Sequence, residues 1–254
     1  MKLDELTSHL PKLPAAMPIW HGTVNAKELR ALCEEVQQGG GKLVALWASD
    51  ETERIAHYAL HVALVHAPGM LVLTLLVKNK KPAFPDLSDL FPAADRMQRC
   101  VADMMGLHPT GGGNHRKWLR HASWPSEVHP LRKSFDGNST FPTDSDNYSF
   151  VPVTGNGVHE IAVGPVHAGI IEPGHFRFSI VGERVLKLEE RLGYTHKGIE
   201  KRFEGMTFRQ GAKLAGRVSG DSTVGYAWAY AQAVESVTHT TPPPRALWLR
   251  GLFL

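Results

Sequence analysis

The residues with most chemical potential lie in the second half of this 254-residue chain. His167 and His175 flank a turn-rich segment containing Pro173-Gly174, and Arg217-Val218-Ser219-Gly220-Asp221-Ser222 forms a second polar turn further on. A histidine loop beside an R-x-S-G-x-S turn that opens a helix is how a cleft between elements acquires polar groups. Ser219, Asp221 and Ser222 also suit helix N-capping, since their side-chain oxygens can accept backbone N–H groups. His167 and His175 can equally serve as turn histidines bonded to backbone. No Ser-His-Asp assignment follows, because the sequence places no histidine beside these serines.

Other chemistries are weaker or excluded. Gly39-Gly40-Gly41-Lys42 lacks both the upstream glycine and the downstream hydroxyl of a phosphate loop, so it reads as a helix stop. His57 and His61 carry no following glutamate, and the alternation around them favours a strand over a zinc-binding helix. Cys33 and Cys100 make no CxxC and read as buried, inert thiols. A formal charge of +3 is too small to argue for nucleic acid, none of which is expected as a partner, and the basic-aromatic stretch Asn114–His121 reads as a surface for an acidic partner subunit. No G-x-G-x-x-G follows a strand, so NAD is not expected on this chain.

These groups must be positioned by a mixed set of elements. Residues 1–20 are Pro-interrupted and read as a loose lead-in without a signal-peptide pattern. Asn25 caps an expected helix, Ala26–Gln38, with Leu29, Leu32, Cys33 and Val36 on one face. Leu43–Trp47, Ile55–Val65 and Met70–Val77 read as strands, the last two joined across Ala67-Pro68-Gly69. Lys78–Pro82 reads as a solvated basic turn, Phe84–Leu90 as loop, and Asp95–Met105 as an amphipathic helix stopped by Gly106. Pro125–Phe150 is linker-like in composition. His159–Val163 starts a second set of strands, with a hairpin of Phe176–Ile180 and Arg184–Leu188. Helices are expected at Lys197–Phe203, Phe208–Ala215 and Thr223–Glu235, the last small-residue-rich and buried, with another beginning at Arg245. The longest apolar run, Met70–Val77, falls far short of the roughly 20 residues a membrane helix needs.

The segments GPVHxxxxEPGHFRF, GYTHKGIEK, RVSGDS and AYAQAVE resemble the large-subunit family shared by membrane-bound [NiFe] hydrogenases and the 49-kDa subunit of complex I. FPDLSDLFPAADRMQRCVADMMGL resembles the 30-kDa subunit of complex I. The two together resemble a 30-kDa/49-kDa fusion related to group 4, formate-hydrogenlyase-type hydrogenases. The resemblance implies an α+β chain: a 30-kDa-like α/β domain at 1–135, a linker at 136–150, and at 151–254 the hairpin and first helices of a mainly helical large-subunit-like domain, apparently truncated. In hydrogenases the R-x-x-G-x-x turn carries two nickel-ligating cysteines, where this chain has Ser219 and Ser222. Hydroxyls poorly replace soft thiolates, so no metal is expected here. The complex I branch places a quinone-facing tyrosine where this chain has Gly220, while His167 matches its quinone-facing histidine.

The resemblance therefore implies a subunit of an NADH:quinone oxidoreductase-like or hydrogenase-related electron-transfer complex. His167 and Arg217 would be its catalytic residues, and His167, Ser219, Asp221 and Ser222 would face a bound cofactor, quinone being the possible one. Iron–sulfur clusters and NAD would sit on partner subunits, an iron–sulfur subunit and membrane-arm subunits. The chain would be cytoplasmic, peripheral on the inner face of the cell membrane. The alternative is a non-catalytic scaffold or assembly subunit of such a complex.

Overall fold

The computed structural model describes residues 7–15, 17–67, 69–78, 82–112, 114–144, 149–168 and 170–254. The expected turns at Ala67-Pro68-Gly69 and Lys78–Pro82 include Pro68 and residues 79–81, which lie outside that set.

The first half is built on a five-stranded sheet in the order β1-β2-β5-β4-β3. Its strands are β1 (Lys12–Leu13), β2 (Ile19–Val24), β3 (Lys42–Glu51), β4 (His57–His66) and β5 (Gly69–Lys78). Strands β4 and β5 form the expected antiparallel pair, which β3 extends into a meander, with Tyr58, Leu60, Val62 and Leu64 of β4 facing the core beside Leu71, Leu73, Leu75 and Val77 of β5. Helix α1 (Ala26–Gln38) packs on β4 and β5 through Leu29, Leu32, Cys33 and Val36, all buried. Its start is fixed by a full capping box: Asn25 Oδ1 accepts the N–H groups of Lys27 and Glu28, while Glu28 accepts that of Asn25. The one-turn helix α2 (Thr52–Ile55) links β3 to β4, and α3 (Ala94–Met105) packs on β3 before ending at Gly106 in the left-handed region. Short strands β6 (Ala83–Pro85) and β7 (His108–Thr110) pair in parallel on either side of α3, where the sequence suggests loop.

Two sequence readings are corrected here. The expected loose lead-in at residues 1–20 does not hold for its last residues, because Ile19 and Trp20 begin β2, which pairs in parallel with β5 and buries Trp20 and Val24; residues 1–6 and 16 lie outside the described set. The alternation Trp20, Gly22, Val24 is disguised by a glycine at an inward position. That glycine is filled by Leu10, whose Cδ2 would lie 2.6 Å from an added Cβ. The segment from Pro125 to Phe135 packs on the first half and is not free linker. Buried Asp103 accepts the backbone N–H groups of Trp118, Leu119 and Arg120 at 2.7, 2.7 and 3.1 Å. Arg120, also buried, then donates Nη1 to the carbonyls of Pro125, Ser126 and Val128. Leu131 N–H and Arg132 Nε bond the carbonyls of Met104 and Met105 at the end of α3. The backbone of the stretch Asn114–His121 is anchored as well, Arg99 bonding the carbonyls of Arg116 and Lys117, while the side chains of His115, Arg116 and Lys117 are exposed.

The second half carries an antiparallel sheet, β10-β9-β8, made of β8 (Val158–Val163), β9 (His175–Val181) and β10 (Arg184–Arg191). Helices α4 (Ile199–Phe203), α5 (Phe208–Ala215), α6 (Thr223–Thr238) and α7 (Pro244–Phe253) follow. Gly211 lets α6 approach α5: an added Cβ would lie 2.3 Å from Tyr230 Oη, which donates to Phe208 O. Glu235 and Arg250 tie α6 to α7 by a two-pronged ion pair. Helix α6 is not buried as its composition suggests: it has no buried residue, its main packing partner being the short helix α5, with Phe203 of α4 stacked on Tyr230. The whole is α+β, as expected.

On the sheet face away from α1 a polar chain crosses four strands. Ser49 donates to Glu51, so His61 Nε2 must donate to Ser49 (3.0 Å), leaving Nδ1 to accept the Thr74 hydroxyl (3.0 Å). Thr74 Oγ1 can then accept from His21 Nε2 at 3.2 Å. A second proton on His61 would oppose the Thr74 donor, and burial together with neighbouring His21 outweighs Glu51 in holding this imidazole below its ordinary value. Burial also lowers His108 and His129.

Two outcomes follow. Asp103→Ala strands three inward N–H groups, and a loss of about 3 kcal/mol is expected in a denaturant melt, with Asp103→Asn losing less. Because these histidines titrate lower folded than unfolded, the unfolded chain binds more protons. Their stabilising contribution is complete above the ordinary value of 6.5 and is lost as pH falls below it. Melting temperature should drop between neutral pH and pH 5, and His61→Gln should flatten part of that slope.

Candidate functional site

The loop between β8 and β9 begins at Gly164, and its backbone fixes the histidine segment. Gly164 adopts a positive φ of 79°, and an added Cβ would lie 2.0 Å from the carbonyl oxygen of Gly174. No other residue fits where the two ends of the loop meet. Gly164 O then accepts Nδ1–H of His175 at 3.0 Å, and the His167 ring lies against the same glycine. With Nδ1 donating, the buried Nε2 of His175 is left as a bare acceptor without a hydrogen-bond partner. Arg177, next but one on β9, pairs with Glu160 at 3.0 Å and stacks on Phe150.

Across from this loop, the GYTHKG segment and the R-x-S-G-x-S turn are drawn together by one lysine. Gly198 caps α4 in the left-handed conformation, so Lys197 precedes the helix it is expected to begin and reaches across the gap. Its Nζ contacts Glu172 Oε1 at 3.1 Å and the carbonyl of Val218 at 3.4 Å, while Thr195 Oγ1 donates to Glu172 Oε2 at 2.9 Å. Hydrogen bonds from Lys197 and Thr195 hold the Glu172 carboxyl below the usual range. Around these groups lies an open cavity of about 470 Å³, lined by residues including Glu172, Thr195, His196, Lys197, Ile199 and Val218.

None of His167, Arg217, Ser219, Asp221 and Ser222 lines that cavity. His167 is half-buried beside Gly164, whereas Arg217, Asp221 and Ser222 are exposed. Ser222 does occupy the cap position of α6, but its side chain makes no capping bond. Thr223 instead turns its hydroxyl back to the carbonyls of Ser219 and Gly220. Sequence reasoning missed Glu172 and Lys197. Both stand inside the EPGHFRF and GYTHKGIEK segments, and an acid and a base in adjacent turn-rich motifs was the available signal. The donor set does not suit a soft metal. Ser219 and Ser222 offer only hydroxyls, and both cysteines belong to the first half. Burial pushes Cys33 up to about 12 and Cys100, half-buried, up to about 11.

Comparison with known proteins gives this arrangement its setting. Residues 22–141 match the family described as respiratory-chain NADH dehydrogenase, 30 Kd subunit. Formate hydrogenlyase subunit 5 of Escherichia coli (strain K12) is 33% identical over 85% of this chain and 39% of its own length. Hydrogenase-4 component G of the same organism is 34% identical over 85% of this chain and 40% of its own. The C/D fusion protein of the NADH-quinone oxidoreductase of Phocaeicola vulgatus is 29% identical over 59% of this chain and 32% of its own. Residues 22–141 thus carry the 30-kDa-subunit domain, and the chain is a relative of the C/D fusion proteins and of the two hydrogenase subunits. It spans about two fifths of the length of the first two.

If Lys197 is what lowers Glu172, then Lys197→Met should return that carboxyl towards its ordinary value of 4.5. A carboxyl-carbon NMR titration of wild type and variant reads this directly. An unchanged Glu172 would mean that Thr195 alone sets it.

Proposed function

We propose that the chain is a subunit of a membrane-associated electron-transfer complex of the NADH:quinone oxidoreductase or hydrogenase-related kind. One observation carries this reading. The hydrogenase-subunit matches extend over 85% of the chain, so they cannot be confined to the 30-kDa domain at 22–141 and must include part of the second half. We assign residues 1–135 to the 30-kDa-like domain, 136–150 to a linker and 151–254 to the beginning of a large-subunit-like domain. Its work is to shape a redox cleft beside an iron–sulfur subunit, with NAD and the clusters held by partners. No helix among the described residues is long and apolar enough to cross a membrane, which supports peripheral attachment through membrane-arm subunits.

In this reading the loop closed by Gly164 and Gly174 presents His167 to a quinone headgroup as a hydrogen-bond donor, and Arg217 supplies an unneutralised cation near the developing negative charge. Arg217 supports that role because its guanidinium is exposed and makes no ion pair among the described residues. The second reading, a non-catalytic scaffold, is favoured by the serines at the hydrogenase ligand positions and by the five candidate residues lying outside the 470 Å³ cavity.

The two readings part on a chromosomally tagged chain purified from native membranes in mild detergent. Co-purification with chains carrying iron–sulfur signals in electron paramagnetic resonance is expected, and recovery only as a free monomer would overturn the subunit reading. Within such a complex, His167→Ala should abolish quinone-linked electron transfer while Ser219→Ala leaves it within about twofold. Intact assembly with unaltered turnover in both variants would establish the scaffold instead.

A further inference from the structure

A second cavity, of about 460 Å³, lies where the two halves of the chain meet, and nothing above assigns it a role. Its walls come from α3, from residues 116–121, and from β10 with Leu192. Six lining side chains are Lys or Arg and three are Asp or Glu. The acids are mostly spent within the wall. Asp95 takes Arg99 at 3.4 Å and the Asn114 amide at 3.0 Å, and Glu189 takes Lys187 at 3.8 Å and the N–H of Val151 at 3.1 Å.

Three cations are left without a carboxylate among the described residues. Arg96 touches only the Trp118 ring, 5.5 Å from its centroid, and Arg116 bonds only the neutral Asn114 amide oxygen at 3.1 Å. Lys117 offers its carbonyl to Arg99 while its ammonium bonds nothing. The backbone beneath Arg116 and Lys117 is fixed, because both carbonyls are held by Arg99 and Trp118 N–H by Asp103. The cations therefore stand on an ordered frame.

Uncompensated positive charge in a concave site with low-dielectric walls focuses the field on whatever enters. Two guanidinium forks with an ammonium match the oxygens of a phosphate better than a lone carboxylate. The volume falls within the roughly 300–1,000 Å³ of small-molecule sites, well above a bare anion. Val151, Leu188 and Leu192 supply an apolar wall for the remainder of such a molecule. We propose that this cavity binds a phosphate-bearing small molecule, its phosphate held by Arg96, Arg116 and Lys117 and its body lying against the β10 side. Both halves contribute, so occupancy would also lock them together. The inference does not depend on the redox reading.

The chemistry is shared by free phosphoesters and by anionic phospholipid headgroups, and the test separates them. Pyrophosphate would be titrated calorimetrically into the full chain, alongside co-sedimentation with phosphatidylglycerol vesicles. Saturable pyrophosphate binding is expected to weaken at least about tenfold in an Arg116→Ala/Lys117→Ala double variant, as loss of charge-assisted bonds requires. It should be regained in Arg116→Lys/Lys117→Arg and kept in Lys133→Ala, a basic residue outside the cavity. Both changed side chains are exposed, so an unaltered melting curve would verify the fold. Vesicle binding that needs Arg116 and Lys117 and is displaced by pyrophosphate identifies a headgroup site. Pyrophosphate binding without vesicle binding identifies a free ester. Absence of saturable binding in both arms, or equal binding by the double alanine variant, would overturn the proposal.

Discussion

The carboxylate of Asp103 holds the rest of this chain in place. It sits on the inner face of α3 and gathers three successive N–H groups, those of Trp118, Leu119 and Arg120. A buried carboxylate is costly unless its lone pairs are filled, and a run of backbone donors in a tight bend fills them at little further entropic cost. Once the bend is fixed, Arg120 is set to collect the carbonyls of Pro125, Ser126 and Val128, so an otherwise structureless stretch acquires buried partners for its main chain. That stretch brings Lys133 N–H to Asp50 and the carbonyl of Arg132 to Lys201 of α4. One buried acid thereby couples the sheet domain to the first helix of the second half.

The same chain of contacts explains why the two halves differ so much in burial. The sheet domain encloses its core between β1–β5, α1 and α3, and its interior side chains are almost all aliphatic or aromatic. Among the described residues the second half has only isolated buried ones, Gly174, Ser179, Gly211 and Ala215. Its helices are held to one another by Gly211 against Tyr230 and by Glu235 with Arg250 more than by burial. Apolar side chains such as Val237, Trp248 and Leu252 are 73%, 81% and 76% exposed. A region held by a few polar ties with so little buried core is one whose geometry neighbours can readily set.

How much of this was legible in the sequence depends on the range of the interaction. Local signals read true: Asn25 predicts the start of α1, Gly106 the end of α3, period-two alternation the strands β4, β9 and β10, and an apolar run after a short turn the strand β5. The large-subunit motifs also read correctly as kinship, because they are contiguous strings. What escaped reading is non-local. β2 pairs in parallel with β5, just over fifty residues away by register (Ile19 with Met70), and its inward glycine needs Leu10 to fill it. Asp103 sits in a helix, where an acid reads as a solvated face, and only the returning chain reveals its three donors. Lys197 belonged to a motif already singled out, yet its role depends on Gly198 turning left-handed so that the side chain crosses to Glu172 and Val218.

This distinction bears on the candidate site. A motif string marks where a cleft is built, but the groups that hold the cleft need not be those that work in it. Gly164, Gly174, Glu172, Thr195 and Lys197 are holding groups: they bring three loops to one place and satisfy each other's polar atoms in doing so. His167 is placed by them, resting on a glycine that admits no side chain, and Arg217 stands beside them without an ion pair among the described residues. A serine pair at Ser219 and Ser222 leaves the backbone turn intact, because Thr223 supplies the hydroxyl that bonds its carbonyls. The turn therefore holds its shape without calling on the side chains of Ser219 and Ser222. A scaffold that keeps its shape while its ligand chemistry changes is physically able to serve either a redox cleft or an assembly surface.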